Sequence, residues 1–148
     1  MNENSLWRFA LSQWSRPGME ARCLQLQDQF QVPVSLTLLA HWLASRQRQP
    51  DVTLARALSQ CAYNYESSML TPWRARRRQW SGGSETAALK PTLMALELEL
   101  ERRLMMRLQR RSLTALPARK PVAMHSWFVL LIPEASGCEG IQSLIADW

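Results

Sequence analysis

The segment from Trp7 to Trp42 reads WRFALSQWSRPGMEARCLQLQDQFQVPVSLTLLAHW, and it decides the fold of the chain. Apolar residues recur at helical spacing on both sides of the Pro17-Gly18 corner, which predicts two helices that meet there. The run that follows Pro33 is apolar almost all round, which is typical of a helix in the middle of a bundle. The segment specifies packing and contains no recognisable catalytic motif.

The rest of the chain extends this pattern to an all-α fold, a compact bundle of five or six helices. Asn4 or Ser5 is suited to cap the first helix, and Asp51 is suited to cap the fourth. Thr71-Pro72 predicts a cap followed by proline at the first position of a short basic helix, which the Ser81–Ser84 run ends. The helices are expected near residues 5–15, 17–30, 33–45, 51–65, 72–80 and 91–113.

The last long helix carries leucines at helical spacing, which predicts its buried face. These leucines are Leu93, Leu96, Leu100, Leu104 and Leu108.

The pattern is interrupted after Leu113 by prolines at 117, 121 and 133. His125–Ile132 is compatible with a strand or with one buried helical turn, and a segment packed on the bundle is favoured because a single strand would have no pairing partner. We therefore predict a helical bundle domain at residues 1–116. Residues 117–148 are then a proline-interrupted segment that is packed on the bundle or partly mobile.

Composition places the chain among single-domain proteins with an apolar core, since 148 residues with 47% apolar content can bury one. No run approaches the roughly 20 apolar residues that a membrane-spanning helix needs. The first five residues lack the features of a signal peptide, so a cytoplasmic location is expected. The three cysteines predict neither a disulfide framework nor a zinc site. Cys23 and Cys61 are expected to be buried, and Cys138 to be exposed.

The net charge of +6 is concentrated in one region. Between Leu70 and Arg111 there are ten cationic and four acidic residues, so this region alone accounts for the whole excess. Arginine supplies sixteen of the eighteen cations and binds phosphate or carboxylate through a planar fork. This asymmetry suggests an anionic partner, either nucleic acid or an acidic protein surface.

The strongest functional candidate is the segment Trp73–Trp80, which reads WRARRRQW. Its arginines can neutralise phosphates while its tryptophans stack or anchor. The competing interpretation is a solvated helix face whose tryptophans pack inward. A second basic surface repeats at helical spacing on the last long helix, at Arg103, Arg107 and Arg110, where cations also complement the helix dipole. The two groups form one patch if the fifth helix folds back near that end.

Catalytic machinery is missing from the sequence. The two histidines, His41 in an apolar helix and His125 near a proline-rich loop, match no metal or nucleophile motif, and no phosphate loop or acidic metal cluster occurs. Asp28, at the end of a polar run on the second helix, is interpreted as a helix-terminal or inter-helix hydrogen-bonding residue. No cofactor and no metal are expected, and the chain is predicted not to be an enzyme.

Five motifs occur in order along the N-terminal two-thirds of the chain. They are Trp7-x-Phe9-Ala10-Leu11, Pro17-Gly18, Cys23-Leu24-x-Leu26-Gln27-Asp28, Leu70-x-Pro72-x-Arg74 and Glu97-Leu98-Glu99-Leu100-Glu101-Arg102. With these motifs the chain resembles a family of small bacterial proteins known as domain of unknown function 2390. The resemblance implies a bacterial, cytoplasmic, helical protein and implies no activity. Ser35 departs from the family pattern, where asparagine is expected, and residues from about Pro117 onward match nothing in it.

The leading hypothesis is a non-enzymatic adaptor or regulator that binds a protein partner through an arginine- and tryptophan-rich surface. Direct RNA or DNA binding through the same surface is the alternative. A third possibility is a small-molecule pocket within the bundle, lined by tryptophans and one or two polar groups. The predicted partner-binding residues are Trp73, Arg74, Arg76, Arg77, Arg78, Trp80, Arg103, Arg107 and Arg110.

Overall fold

The helices follow the apolar periodicity of the sequence closely. The computed structural model describes residues 5–81 and 87–148, and all the regular elements of that part are helical, which confirms the all-α prediction. Asn4 and the Gly82-Gly83-Ser84 stop signal lie outside the described residues. The α-helices are α1 (Leu6–Trp14), α2 (Met19–Phe30), α3 (Val34–Ser45), α4 (Val52–Tyr65), α5 (Thr71–Ser81), α6 (Lys90–Arg111), α7 (Met124–Leu131) and α8 (Glu139–Ile145).

Local sequence signals set the helix starts. The Ser5 hydroxyl accepts a hydrogen bond from the Arg8 N–H at 3.2 Å, and the Asp51 carboxylate accepts one from the Leu54 N–H at 3.0 Å. Gly18 precedes α2 with a φ of 82°, a left-handed conformation that glycine adopts without steric cost. The Pro17-Gly18 corner therefore turns the chain between α1 and α2.

The predicted break at Thr71-Pro72 is instead a π-helical turn, Glu66–Leu70, which joins α4 directly to α5. Proline has no N–H to donate to the carbonyl four residues earlier, and its ring collides with that carbonyl in a regular α-helix. The wider π-turn accommodates Pro72, and the Thr71 N–H donates to the Glu66 carbonyl, five residues back. Helix α5 therefore begins where the sequence predicts, but the predicted cap at Thr71 was wrong, because Thr71 is itself helical with φ −62° and ψ −48°.

The centre of the bundle is α3, as its apolar sequence predicts. Leu36, Leu39 and Leu43 are fully buried, and α3 contacts α1, α2, α4, α6 and α7. The Leu6 N–H donates to the Gln109 side-chain carbonyl at 2.9 Å, which ties the start of α1 to the end of α6. Helices α1, α2, α3, α4 and α6 thus share one hydrophobic core.

Residues beyond 117 add α7 and α8, which raises the helix count above the predicted five or six. The strand alternative for His125–Ile132 was wrong, because Met124–Leu131 is helical and packs against α3 and α4. Trp127 is fully buried, and its indole N–H donates to the Arg48 carbonyl at 3.0 Å. This segment therefore completes the core that α3 begins.

Helix α8 lies against α2. The Arg22 guanidinium contacts the Asp147 carboxylate at 2.6 Å and also lies over the Trp148 ring, 5.0 Å from its centroid. Gly140 lies so close to Phe30 that a Cβ on Gly140 would be 2.4 Å from the Phe30 ring. The last residues of the chain are thus held to α2 by the contacts of Arg22, and α8 itself is held by the close contact of Gly140 with Phe30.

The leucine stripe predicted for α6 is correct at Leu93, Leu104 and Leu108, which are buried, but it is wrong at Leu96, which is exposed. Glu97 occupies the buried position instead. An ion-paired glutamate reads as a surface residue in a hydropathy pattern, although its partners allow it to be buried.

Two further expectations concern cysteines and membranes. Cys23 is buried as expected, whereas Cys61 and Cys138 are both half-buried. Among residues 5–81 and 87–148, no helix has the length and apolar content needed to cross a bilayer.

Candidate functional site

The π-turn brings charged side chains of α4 and α5 to one face. Glu66 and Arg74 are eight residues apart, which in a regular α-helix would place them roughly 80° apart around the axis. The π-turn takes up one extra residue, so the two side chains have the phase of residues seven apart, about 20° from alignment. The Arg74 guanidinium therefore reaches the Glu66 carboxylate at 3.0 Å.

A cluster of ion pairs joins this face to α6. Arg74 lies 3.4 Å from the Glu97 carboxylate and 3.3 Å from the Glu101 carboxylate, in addition to its contact with Glu66. The Arg77 Nε lies 3.4 Å from the same Glu97 oxygen. We call these five residues, Glu66, Arg74, Arg77, Glu97 and Glu101, the ionic cluster. It contains one more carboxylate than guanidinium groups.

Burial and charge act in opposite directions on the groups of the ionic cluster. Burial lowers the pKa of Arg74, but the carboxylates of Glu66, Glu101 and Glu97 together raise it, and the net shift is upward. Burial raises the pKa of Glu101, Arg74 lowers it, and the neighbouring carboxylates of Glu97 and Glu66 raise it further, so that the net shift is again upward. Burial, reinforced by the neighbouring carboxylates, thus makes Glu101 retain a proton more readily than an isolated glutamate.

The ionic cluster forms one wall of a groove. The groove has a volume of about 880 Å³ and lies between the α1–α2 hairpin and the continuous α4–α5 rod, with the start of α3 and the middle of α6 at its base. This volume is within the roughly 300–1,000 Å³ of ordinary ligand sites. Trp7 and Trp14 of α1 and Gln27, Asp28 and Gln31 at the end of α2 line the opposite wall.

Exposed leucines surround the groove. Leu11 of α1, Leu24 of α2 and Leu98 of α6 all line it, and Leu24 and Leu98 are 39% and 49% exposed. We call these three residues the leucine rim. A solvent-exposed leucine alone is unremarkable, but three around a single concave surface are typical of a site that another molecule covers.

Buried polar atoms that lack hydrogen bonds lie inside the groove. Ser35 and Glu97 are each only 8% exposed, and neither the Ser35 Oγ nor the Glu97 Oε1 has a hydrogen-bond partner among the described residues. The Arg77 Nε is likewise buried without a hydrogen bond, since its contact with Glu97 is an ion pair of poor geometry. Buried polar atoms almost always have hydrogen-bond partners, so these three atoms make the groove the candidate site.

The sequence-predicted site residues of α5 divide between two sides of that helix. Arg74 and Arg77 are half-buried in the ionic cluster, while Arg76 and Arg78 are exposed. The Arg78 Nε donates to the Arg74 carbonyl at 3.3 Å, and Arg78 also lines the groove. All four arginines were predicted to bind a partner. In the structure, Arg74 and Arg77 are instead paired with carboxylates of the protein itself.

The two tryptophans of α5 contact each other edge to face, with ring centroids 6.2 Å apart. Trp73 is half-buried and its indole nitrogen is enclosed without a hydrogen-bond partner among the described residues. Trp80 is exposed. The interpretation that the tryptophans pack inward therefore fits Trp73, whereas the interpretation that they are available to a partner fits Trp80.

The arginines of α6 lie on a separate surface. Arg103 pairs with Glu99 at 3.4 Å, Arg107 lies over the Tyr65 ring, and Arg110 is exposed. Arg110 is thirteen residues beyond Glu97, which is about 20 Å along the helix axis at 1.5 Å per residue. Arg103 is only two residues beyond Glu101, which contacts Arg74. None of these three arginines of α6 lines the groove described above.

Asp28 and His41 have different surroundings from each other. The Asp28 side chain is exposed and lines the groove. His41 packs edge to face on Trp148 with centroids 4.7 Å apart, and burial, together with the charges of Arg16 and Arg22, lowers the pKa of His41 to about 4. The described part of the chain contains no cluster of potential metal ligands.

The groove itself was missed from the sequence. Its one detectable signal was the spacing of Glu97 and Glu101, which are four residues apart and so share a helix face that Glu99 does not. Five residues from different parts of the chain meet there only after α4, α5 and α6 have folded together. The π-turn that aligns Glu66 with Arg74 has no clear sequence signature beyond Pro72.

Every long motif quoted above, except the Pro17-Gly18 corner, contributes residues to the groove, namely Trp7, Ala10, Leu11, Leu24, Gln27, Asp28, Leu70, Arg74, Glu97, Leu98 and Glu101. A sequence profile described as "Protein of unknown function (DUF2390)" matches residues 5–108. No curated protein and no solved structure matches the chain. The matched region spans more than half of the sequence, from α1 to most of α6, and the chain belongs to the DUF2390 family.

Proposed function

We propose that this protein is a non-enzymatic, cytoplasmic bacterial adaptor that binds a protein partner in the groove between the α1–α2 hairpin and α5. The observation that carries the proposal is the combination of a leucine rim with buried, unpartnered polar atoms in one concave surface of about 880 Å³. Apolar residues around a few placed polar groups are the usual composition of a binding site.

A protein segment fits this surface better than a nucleic acid. The lining contains four carboxylates, of Asp28, Glu66, Glu97 and Glu101, which repel phosphates. The leucine rim offers area for the apolar face of a helix, the common way in which a groove recognises a protein segment. The exposed Arg76, Arg78 and Trp80 extend the site outward on α5 and supply the residue types that dominate protein interfaces.

The proposal is tested by capture of tagged protein from its own cells, at low salt and after nuclease treatment. The double variant Leu24→Glu/Leu98→Glu places charges on the leucine rim, and we expect it to lose a defined co-purifying protein. Leu113→Glu is the matched control, because Leu113 is 75% exposed and does not line the groove.

Two outcomes would contradict the proposal. Equal capture by wild type and by the rim variant would exclude the groove as the interface. Co-purified nucleic acid that Arg103→Ala/Arg107→Ala/Arg110→Ala releases would instead support the nucleic-acid alternative on α6.

A further inference from the structure

The groove carries a charge opposite to that of the protein as a whole. Its lining contains four carboxylates and three guanidiniums, those of Arg74, Arg77 and Arg78, which gives a net charge of −1. The complete chain has a net charge of +6. A concave site with low-dielectric walls concentrates the field of its own charges, so the lining determines which charge enters.

The hydrogen bonds of the ionic cluster are also incomplete. Arg74 is shared by three carboxylates, and one oxygen of Glu97 faces two Nε groups at 3.4 Å without a hydrogen bond to either. A buried carboxylate oxygen in this condition is stabilised by an additional N–H donor. A further anion would add to the unbalanced negative charge, whereas a cation would remove it.

Aromatic residues face the ionic cluster across the groove. Trp7 and Trp14 line the wall formed by α1, and Asp28 lies on the wall formed by α2. Indole faces attract ammonium and guanidinium groups, and tryptophan does so most strongly among the aromatic residues. The lining thus provides indoles for the stem of a basic side chain and carboxylates for its charged end.

Resting on the proposed function, we propose that the segment bound in the groove belongs to a partner protein and inserts a lysine between the leucine rim and the ionic cluster. The lysine stem lies against the leucines and tryptophans, and its ammonium donates to the carboxylates of Glu97 and Glu101. The exposed arginines of α5 and α6 meet acidic residues elsewhere on the same partner. The groove and the outer surface therefore select opposite charges.

The charge preference can be measured without the partner. The probes are n-octylammonium, n-octanol and n-octanoate, which share an apolar chain and differ in the charge of the head group. Binding to the full chain is followed by calorimetry and by the fluorescence of the groove tryptophans. We expect n-octylammonium to bind most tightly and n-octanoate to bind at least about tenfold more weakly.

Two variants locate the preference. Glu101→Gln removes a half-exposed carboxylate of the ionic cluster, and we expect it to weaken n-octylammonium binding by about tenfold. Glu99→Gln is the matched control, because Glu99 lies two residues away, is equally charged, and pairs with Arg102 and Arg103 outside the groove. Circular dichroism checks that both variants keep the helical fold.

The outcomes separate this inference from the proposed function. Equal or tighter binding of n-octanoate, absence of n-octylammonium binding, or an unchanged affinity in Glu101→Gln would each overturn the lysine site. Capture that depends on Leu24 and Leu98 would in those cases still support the adaptor. A preference for n-octylammonium without leucine-dependent capture would overturn the protein partner and, with it, the lysine as the source of the cation.

Discussion

The α3–α7 interface and the α5–α6 interface join helices by different chemistry. Between α3 and α7, Trp127, Phe128 and Leu131 are fully buried against the largely apolar α3. Between α5 and α6, the half-buried Arg74 and Arg77 face carboxylates of α6. The first interface is the better source of stability, because buried ion pairs recover little more than the free energy that their desolvation costs.

The two interfaces differ in how completely their buried groups are packed and hydrogen-bonded. The α3–α7 interface consists of fully buried apolar side chains, whereas the α5–α6 side leaves a groove with buried polar atoms that lack hydrogen bonds. Natural proteins accept such imperfect packing and satisfaction mainly at functional sites. The proposed binding site therefore lies on the ionic side of the chain rather than on the apolar side.

The largest effect is expected on the apolar side, at Trp127→Ala. Removing a fully buried indole should lower the free energy of unfolding by about 3–5 kcal/mol, measured by denaturant unfolding. Trp127→Phe keeps most of the ring and loses the hydrogen bond to the Arg48 carbonyl, so it should lose considerably less. A loss below about 1 kcal/mol in the alanine variant would contradict the importance assigned to α7.

The ionic side is tested by comparing two glutamates of α6. Glu97→Ala leaves two half-buried arginines without their shared carboxylate and should cost about 2–3 kcal/mol, somewhat less than for a completely buried pair. Glu99→Ala breaks only exposed pairs with Arg102 and Arg103 and should cost under about 0.5 kcal/mol. Similar losses in both variants, measured by chemical denaturation, would remove the distinction between the ionic cluster and the surface.

His41, which lies on the central helix α3, makes the free energy of unfolding depend on pH. Its pKa is about 4 in the folded protein and 6.5 for the unperturbed group, so the unfolded chain binds the proton first as the pH falls. The resulting stability is present above pH 6.5, and it decreases between pH 6.5 and pH 4. From pH 7 to pH 5 the loss should be about 2 kcal/mol. His41→Gln should flatten this part of the stability profile, and an unchanged profile would contradict the burial of His41 beneath Trp148.

The smallest effect is expected where α8 meets α2. Gly140→Ala places a Cβ 2.4 Å from the Phe30 ring, which must shift, and we expect a loss of about 1–2 kcal/mol in thermal or chemical unfolding. Gly137→Ala is the control, because a Cβ there meets no atom within 4 Å. Full stability in Gly140→Ala would show that α8 is loosely held. If the variant is destabilised, the double variant Gly140→Ala/Phe30→Leu should regain part of the lost stability.

The sequence was sufficient for elements that depend on local signals. Caps at Ser5 and Asp51 and the apolar circumference of α3 predicted their own positions, since each depends on neighbouring residues alone. The break at Pro72 was not predicted correctly, because proline signals a disturbed helix without saying whether the helix ends or widens. The helices beyond Pro117 were left open, since their apolar runs are short enough to fit a strand or a helix.

The candidate site was less predictable than the fold. The arginines of α5 were recognised from the sequence, but their partners Glu66, Glu97 and Glu101 were not. A hydropathy pattern assigns a glutamate to the surface, whereas an ion-paired glutamate can be buried. For this reason Leu96, which was expected to be buried, is exposed, and Glu97 is buried in its place. Pairs of this kind depend on tertiary contacts, which one-dimensional periodicity does not contain.

Photo-crosslinking inside living cells tests the central claim most directly. A photoreactive amino acid is placed at position 24 or 98 on the leucine rim, or at position 113 as an exposed control of similar character. If the groove binds a protein segment, both rim positions should crosslink to the same defined protein and position 113 should not. Crosslinking at position 113 alone, or none at either rim position, would contradict the groove as the binding surface.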